Sequence, residues 1–246
     1  MDIGVVSLFP ELTESMVSHG VLGRAIKREQ VTFNCVNPRD FATDVHRTVD
    51  DRPYGGGPGM VLKVEPVRAA IDKARAELPA GSPVIFLGPQ GTKFDQSVAI
   101  KLSQLPGMLL VAGRYEGFDE RLLESVGGEE ISLGDFVLSG GEVAAAAIID
   151  SVVRLLPGVL GDDSSAEQDS FMGGLLDHPH YTRPEDFEGM TVPQVLLNGN
   201  HSEIRRWRLK QSLGRTWQRR PDLLEQKELS EEEQKLLQEF IAENAK

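Results

Sequence analysis

Short apolar runs that each end in glycine constrain this chain more than any other feature. Pro83–Leu87 is followed by Gly88, Met108–Ala112 by Gly113, and a run from Glu130 to about Leu138 by Gly140 and Gly141. Brief runs that are almost wholly apolar read as strands buried on both faces. Ile3–Leu8 and Val31–Val36 read the same way. Helical stretches separate them: one from Pro10 to about Arg28, one over residues 65–77 with Pro66 in its first turn, and one from Glu142 to Leu156. Proline suits the first turn because its missing N–H has no intrahelical partner there, and Pro157-Gly158 stops the last helix. This alternation predicts an α/β fold on a mostly parallel sheet with helices on both faces.

The character changes after residue 160. Residues 161–174, GDDSSAEQDSFMGG, are small, polar and acidic, and read as a flexible linker or lid. Helical segments near 201–218 and 230–244 follow. The predicted organisation is a catalytic domain over 1–160, a linker over 161–174 and a smaller helical domain over 175–246. No run approaches the ~20 apolar residues that span a bilayer. The opening MDIGVVSLFPEL has no basic n-region, so no secretory leader and no membrane association are expected. Cys35 is the only cysteine, which excludes an internal disulfide and fits a cytoplasmic location.

Net charge is −12, which taken alone argues against a nucleic-acid partner. The sum conceals an asymmetry. Residues 205–220 hold seven basic residues and no acid, whereas 221–246 carry eight acids against three bases. On a helix, Arg205, Arg208, Arg215 and Arg219 share one narrow face, with Leu209, Leu213 and Trp217 beside it as the face that packs on a core. Four aligned arginines in so acidic a chain favour contact with an RNA backbone over an ordinary solvated face.

The glycine turns LGPQG (87–91), AGRYEG (112–117) and LGDFVLSGGE (133–142) follow three of the strands. Ligands of open α/β sheets bind at the carboxyl ends of strands, so the three could line one pocket, though each alone could be an ordinary turn. Neither GxGxxG nor GxxxxGK[ST] occurs, so a dinucleotide Rossmann site and a P-loop are disfavoured. Gly140-Gly141 opens the 142–156 helix, whose N-terminal amides favour an electronegative group. A fourth cluster, DDRPYGGGPGM (50–60), flanked by His46 and Arg47, could form an anion-binding loop or a sharp connection. Arg154, four residues after Asp150, is open to an ion pair or to a role near the pocket. Asp169 reads as a solvated linker carboxylate or as a base on a segment that orders over substrate. Asp177, His178, His180 and His201 invite a zinc or hydrolase reading, but Pro179 imposes an extended segment and no HExxH completes a ligand set.

Taken together, SLFPE (7–11), NPRDF (37–41), DDRPYGGGPGM, GPQG (88–91), GRYEGFDER (113–121), GDFVLSGGE (134–142), PHYTRP (179–184) and RRWRLKQSL (205–213) resemble the bacterial tRNA (guanine-N1-)-methyltransferases, a family of the SPOUT methyltransferases. The resemblance runs from near residue 1 to about 225. It implies a knotted parallel-sheet methyltransferase domain with a deep trefoil knot, an obligate homodimer, and methyl transfer from S-adenosylmethionine to N1 of guanosine 37 of tRNA, 3′ to the anticodon. By similarity, Leu87, Pro89 and Gly91 should enclose the donor together with Gly113, Tyr115 and Glu116. Leu133, Gly134, Asp135, Phe136, Val137 and Leu138, then Gly140 and Gly141, complete the enclosure. Asp169 matches the family's general base, and Arg154 the residue that steadies charge on guanine O6. The linker carrying Asp169 would close over the partner's donor pocket, so the subunits share the active site. Use of magnesium is a further possibility that the resemblance raises, with Glu116 and Asp169 as its candidate holders and no dedicated metal site. His46, Asp50, Arg52, Gly59 and Arg114 would contact tRNA alongside Arg205, Arg208 and Arg215. Phe136, Gly88 and Ala144 depart from the family's commonest residues, which are tyrosine, serine and proline.

Overall fold

The computed structural model describes residues 1–161 and 169–245. The chain divides into two compact units, Met1–Asp163 and Ser164–Lys246. Residues 162–168 of the expected linker lie outside the described residues.

In the first unit, β1 (Asp2–Val6) leads to helices α1 (Pro10–Val17) and α2 (Gly20–Lys27), then to β2 (Thr32–Val36). A two-stranded antiparallel ribbon follows, β3 (Asp50–Asp51) with β4 (Val61–Leu62), and then α3 (Val64–Arg75). The chain continues through β5 (Val84–Lys93), α4 (Gln96–Ser103), β6 (Gly107–Ala112), α5 (Glu120–Val126), β7 (Glu129–Ser132) and α6 (Glu142–Val153). Five strands form one sheet in the order β2-β1-β6-β5-β7, every pair parallel, as the apolar runs predict.

Alternation along the strands divides the core between two faces. Ile3 and Val5, Ile85 and Leu87, Met108 and Leu110 face α1, α2, α4 and α6. Val6, Val84, Phe86, Leu109 and Val111 face α3 and α5. On α6, Ala145, Ile148, Ile149 and Val152 recur at helical spacing and are fully buried. Each large aliphatic side chain buried this way stabilises by roughly 1.5–3 kcal/mol, so the sheet holds both ends of α6 in fixed positions.

Three elements differ from the reading of the sequence. The stretch from Pro10 to Arg28 is two helices, because Gly20 (φ +65°) takes a left-handed conformation that breaks the first. The run 130–138 leaves the sheet after Ser132. Phe136 and Val137 are 55% and 86% exposed, so their apolarity belongs to a loop and not to a strand. Helices α4 and α5, each capped by an aspartate side chain (Asp95 and Asp119), were not singled out by periodicity.

The described part of the second unit opens with turns over Asp169–Leu175, closed by Phe171 N–H to Leu175 O (2.8 Å) and Met172 N–H to Asp169 O (3.3 Å). A small hairpin, β8 (Asp186–Phe187) with β9 (Met190–Thr191), precedes α7 (His201–Arg219), α8 (Pro221–Glu225) and α9 (Glu231–Asn244). Asn200 caps α7, and Ser230 with Glu233 forms a capping box on α9. Leu213, Leu236 and Leu237 centre the core of this unit, with Leu175 and Leu209 packed on them. A side chain at Gly214 would collide with the Phe240 ring, so glycine is what lets α7 and α9 meet there. Leu209 and Leu213 thus pack inward as expected, but Trp217, beyond that crossing, stands 42% exposed.

Candidate active site

The three glycine turns meet because β6, β5 and β7 are neighbours in the sheet and all run the same way. Leu87 and Thr92 both pair with Ile131, so Gly88–Gly91 bulges out of β5 between them. A side chain on Gly91 would fall on the Glu130 backbone, and one on Gly141 would press on Ala112 and Gly113. The third turn is fastened to the second by Gly141 N–H to Gly113 O (2.8 Å) and by a bridge between Arg114 and Gly140. Together the turns enclose a cavity of about 410 Å³ at the carboxyl ends of the strands.

Most of the expected donor-binding residues line this cavity: Leu87 and Pro89; Gly113, Tyr115 and Glu116; and Leu133, Gly134, Phe136, Val137, Leu138, Gly140 and Gly141. Tyr115 (φ +61°) has a left-handed backbone that is uncommon for an aromatic residue. Two expected residues are not in the lining. Gly91 is turned against the β7 backbone, and Asp135 extends into solvent, 3.8 Å from Lys93 Nζ. Sequence reasoning missed Phe118, Glu120, Leu123, Glu130 and Ser132, which do line the cavity, and gave Gln90 only as part of the LGPQG turn. The Glu130 carboxyl is pushed above the usual carboxylate range, mainly by burial, against a backbone hydrogen bond from Gln90.

It also missed Glu142. This carboxylate is buried at the first turn of α6, accepts from Ser7 Oγ (2.9 Å) and Arg114 Nε (3.0 Å), and forms an ion pair with Arg114 Nη2 (3.0 Å). The positive end of α6 is therefore answered by the protein's own carboxylate, where an electronegative ligand group was expected. Arg114, expected at tRNA, has its guanidinium 4.4 Å from the Phe9 ring centre and is tied to Glu142. Nothing local in the sequence signals this cluster, since Ser7 and Glu142 are 135 positions apart.

The fourth glycine cluster joins the same region. Glu116 N–H donates to Met60 O (2.9 Å), Leu62 N–H donates to Gly117 O (3.0 Å), and Gly59 packs on the Glu116 side chain. His46 and Arg52 are exposed near this ribbon, and Asp50 pairs with Leu62 within it. Arg154 is half-buried at the C-terminal cap of α6, its backbone N–H on Asp150 O (3.2 Å). At ~1.5 Å per residue it stands about 20 Å along the helix from Gly141 and the cavity.

In the second unit, Asp169 is half-buried in its turn. Arg205, Arg208 and Arg219 are exposed on α7 and Arg215 is half-buried. Among the described residues none of these four has a carboxylate within ion-pair distance. The α9 acids are spent elsewhere on α7: Glu239 pairs with Arg206 (2.7 Å) and Glu243 with Lys210 (2.8 Å). Of the four residues that invited a zinc reading, Asp177, His178 and His180 do converge, with ligand atoms within 4.8 Å of one another. His201 instead opens α7. Asp177 already engages both rings, at 2.6 Å from His178 Nδ1 and 2.7 Å from His180 Nε2. Burial pushes the Asp177 carboxyl up, but the bonds from His180 and the His178 backbone outweigh it and hold the group below its usual range.

A parallel sheet with a ligand cavity over the carboxyl ends of three adjacent strands defines an α/β enzyme of the small-molecule-binding kind. The sequence signature described as "tRNA (Guanine-1)-methyltransferase TrmD" matches residues 1–226. The protein named tRNA (guanine-N(1)-)-methyltransferase in Hahella chejuensis is 62% identical over 237 residues, 96% of this chain and 92% of its own length. Proteins of the same name in Edwardsiella ictaluri and Serratia proteamaculans are 58% and 59% identical, covering 100% and 99% of this chain and 96% of each of their own. The chain belongs to the tRNA (guanine-1)-methyltransferase family.

Proposed function

We propose that this protein transfers a methyl group from S-adenosylmethionine to N1 of guanosine 37 of tRNA. The observation that carries the reading is the cavity of three glycine turns in a chain of this family. Its volume of about 410 Å³ falls within the roughly 300–1,000 Å³ of small-molecule sites. Glu116, Glu120 and Glu130 line it, while the lining arginine, Arg114, is neutralised by Glu142, so its field favours a cation. Bound there, S-adenosylmethionine supplies an electrophilic methyl on a positively charged sulfur. The turns contribute mostly backbone groups, which orient the donor without needing particular side chains.

Guanine N1 carries a proton that must leave as the methyl arrives, and Asp169 accepts it. Arg154 steadies the negative charge that develops on O6. Since Arg154 stands at the end of α6 remote from its own cavity, it reaches a reacting guanine only at the cavity of a second copy. That supports a homodimer with a shared active site, in which the segment carrying Asp169 closes over the partner's pocket. The close passage of 140–141 against 113–114 supports the deep trefoil knot. Glu116 offers one hard oxygen ligand of the kind magnesium takes, and Asp169, closed over the pocket, offers a second. A tRNA substrate places the protein in the cytoplasm, and among the described residues no helix is long and apolar enough to cross a membrane.

The test is methyl transfer from labelled S-adenosylmethionine to tRNA transcripts carrying guanosine or adenosine at position 37. Transfer is expected to the first and not to the second. Tight tRNA binding with no transfer would replace the enzyme reading with that of an RNA-binding protein.

The arginine face of α7 makes a separate prediction. An Arg205→Ala/Arg208→Ala/Arg215→Ala variant should bind tRNA about 10- to 100-fold more weakly near 0.1 M salt. Its log affinity should fall with log salt by a slope smaller by about two to three, one for each lost phosphate contact. Full affinity in the triple variant would remove the arginine face as the contact.

A further inference from the structure

A second cavity, of about 1050 Å³, lies within the second unit and has no role in the chemistry above. Its walls combine three kinds of group. His180 and Tyr181 supply ring faces, and Tyr181 is 49% exposed with its ring 6.3 Å from Trp207. Arg183 and Arg208 supply positive charge against one acid, Glu185. Val192, Leu196, Leu197 and Ile204 supply an apolar wall, held by the 3₁₀ turn at Gln194–Leu196 and the first turns of α7.

We infer that this cavity takes one unstacked nucleobase of the tRNA, other than guanosine 37, with Arg183 and Arg208 on the adjoining phosphates. Aromatic faces stack on any base, apolar walls displace water from the other face, and arginines track the backbone. Arg208 belongs to the arginine face of α7, so a backbone lying on Arg205 and Arg215 passes the mouth of this cavity. The charge of Arg208 is felt at His178, whose imidazole is held below its usual range first by burial and then, against the pull of Asp177, by His180 and Arg208. A peptide ligand would not call for two arginines beside two rings in a chain otherwise this acidic.

The Asp177 carboxylate lies 2.7 Å from His180 Nε2 and holds that ring in place at the cavity wall. Asp177 acts here as a positioning residue, since it touches His180 and not the base.

The inference rests on the tRNA reading above, and the test keeps the two separable. Full-length wild-type protein, Tyr181→Leu and Tyr181→Phe are titrated with tRNA transcripts that each carry one abasic nucleotide in the anticodon stem-loop. Wild type should lose about tenfold in affinity at one position other than 37. Tyr181→Leu should bind intact tRNA about tenfold more weakly and lose its response to that abasic site, while Tyr181→Phe should match wild type. Unchanged binding by Tyr181→Leu overturns the inference, as does equal weakening on every transcript or a Tyr181→Phe variant as weak as Tyr181→Leu. Binding that needs added zinc and is lost in Asp177→Asn but not in Tyr181→Leu also overturns it, in favour of a metal centre. Methyl transfer is read on the same transcripts. Its absence with the abasic pattern intact removes the enzyme reading alone, and its presence without that pattern removes the cavity assignment alone.

Discussion

Replacing Asp169 by asparagine should lower single-turnover methyl transfer by about two to four orders of magnitude, the usual worth of a positioned base. Affinities for tRNA and S-adenosylmethionine should stay within about threefold. Asparagine keeps the shape and the hydrogen-bonding oxygen but cannot take the N1 proton at neutral pH. The loss should therefore fall on the chemical step. The mount of this residue matters as much as its charge. Its turn is cross-tied by Asp177 N–H to Ser170 Oγ (2.9 Å) and by Leu176 N–H to Thr216 Oγ1 (2.9 Å) on α7. In the proposed mechanism, a base held this way would meet the guanine with its direction already set. Turnover like that of wild type in Asp169→Asn would assign the proton to another group.

The second large effect should come from Glu142, which touches no substrate in the proposed mechanism. Glu142→Leu strands the Arg114 guanidinium and the Ser7 hydroxyl beside a carboxylate site only 1% exposed. Breaking one side of a buried pair costs about 3–5 kcal/mol. Because Arg114 is 21% exposed and partly rehydrates, about 3 kcal/mol is the expected figure here. For a chain of this size that lowers the unfolding midpoint of the first unit by about 6–12 °C. Adding Arg114→Met to Glu142→Leu should restore most of the loss, because it removes the orphaned charge. Thermal melts of the four members of this cycle decide the matter. Equal destabilisation of the single and double variants would show that the pair is not what Glu142 serves. Donor affinity should fall in Glu142→Leu as well, since Arg114 and Gly140 fix the second and third turns against each other.

Much of the fold was legible because parallel strands announce themselves locally. The runs at Pro83–Leu87 and Met108–Ala112 are apolar throughout, and the sheet buries them on both faces. The misreading of 133–138 has the same origin. An apolar run that lines a ligand cavity looks like one that joins a sheet, and only the missing neighbour strand distinguishes them. Partners distant in sequence could not be read at all. Glu142 appeared only as the start of a helix, and its meeting with Ser7 and Arg114 depends on how β1, β6 and α6 stack. Residue chemistry alone also gave no special weight to Asp169. Its assignment came from motif resemblance, and the structure adds a folded turn beneath it. Arg154 posed the opposite problem, since its place on α6 was clear but its direction along the sheet was not.

The pairing of α9 with one side of α7 bears on how a tRNA would arrive. Glu239 and Glu243 cancel Arg206 and Lys210, so the cationic segment keeps a single uncompensated edge in a protein of net charge −12. A polyanion is then repelled by most of the surface and attracted along that edge, so encounters in the wrong orientation are short. Acidity, which at first argues against RNA, becomes a filter on landing geometry. Removing α9's acids should raise overall affinity for nucleic acid while admitting tRNA in unproductive poses.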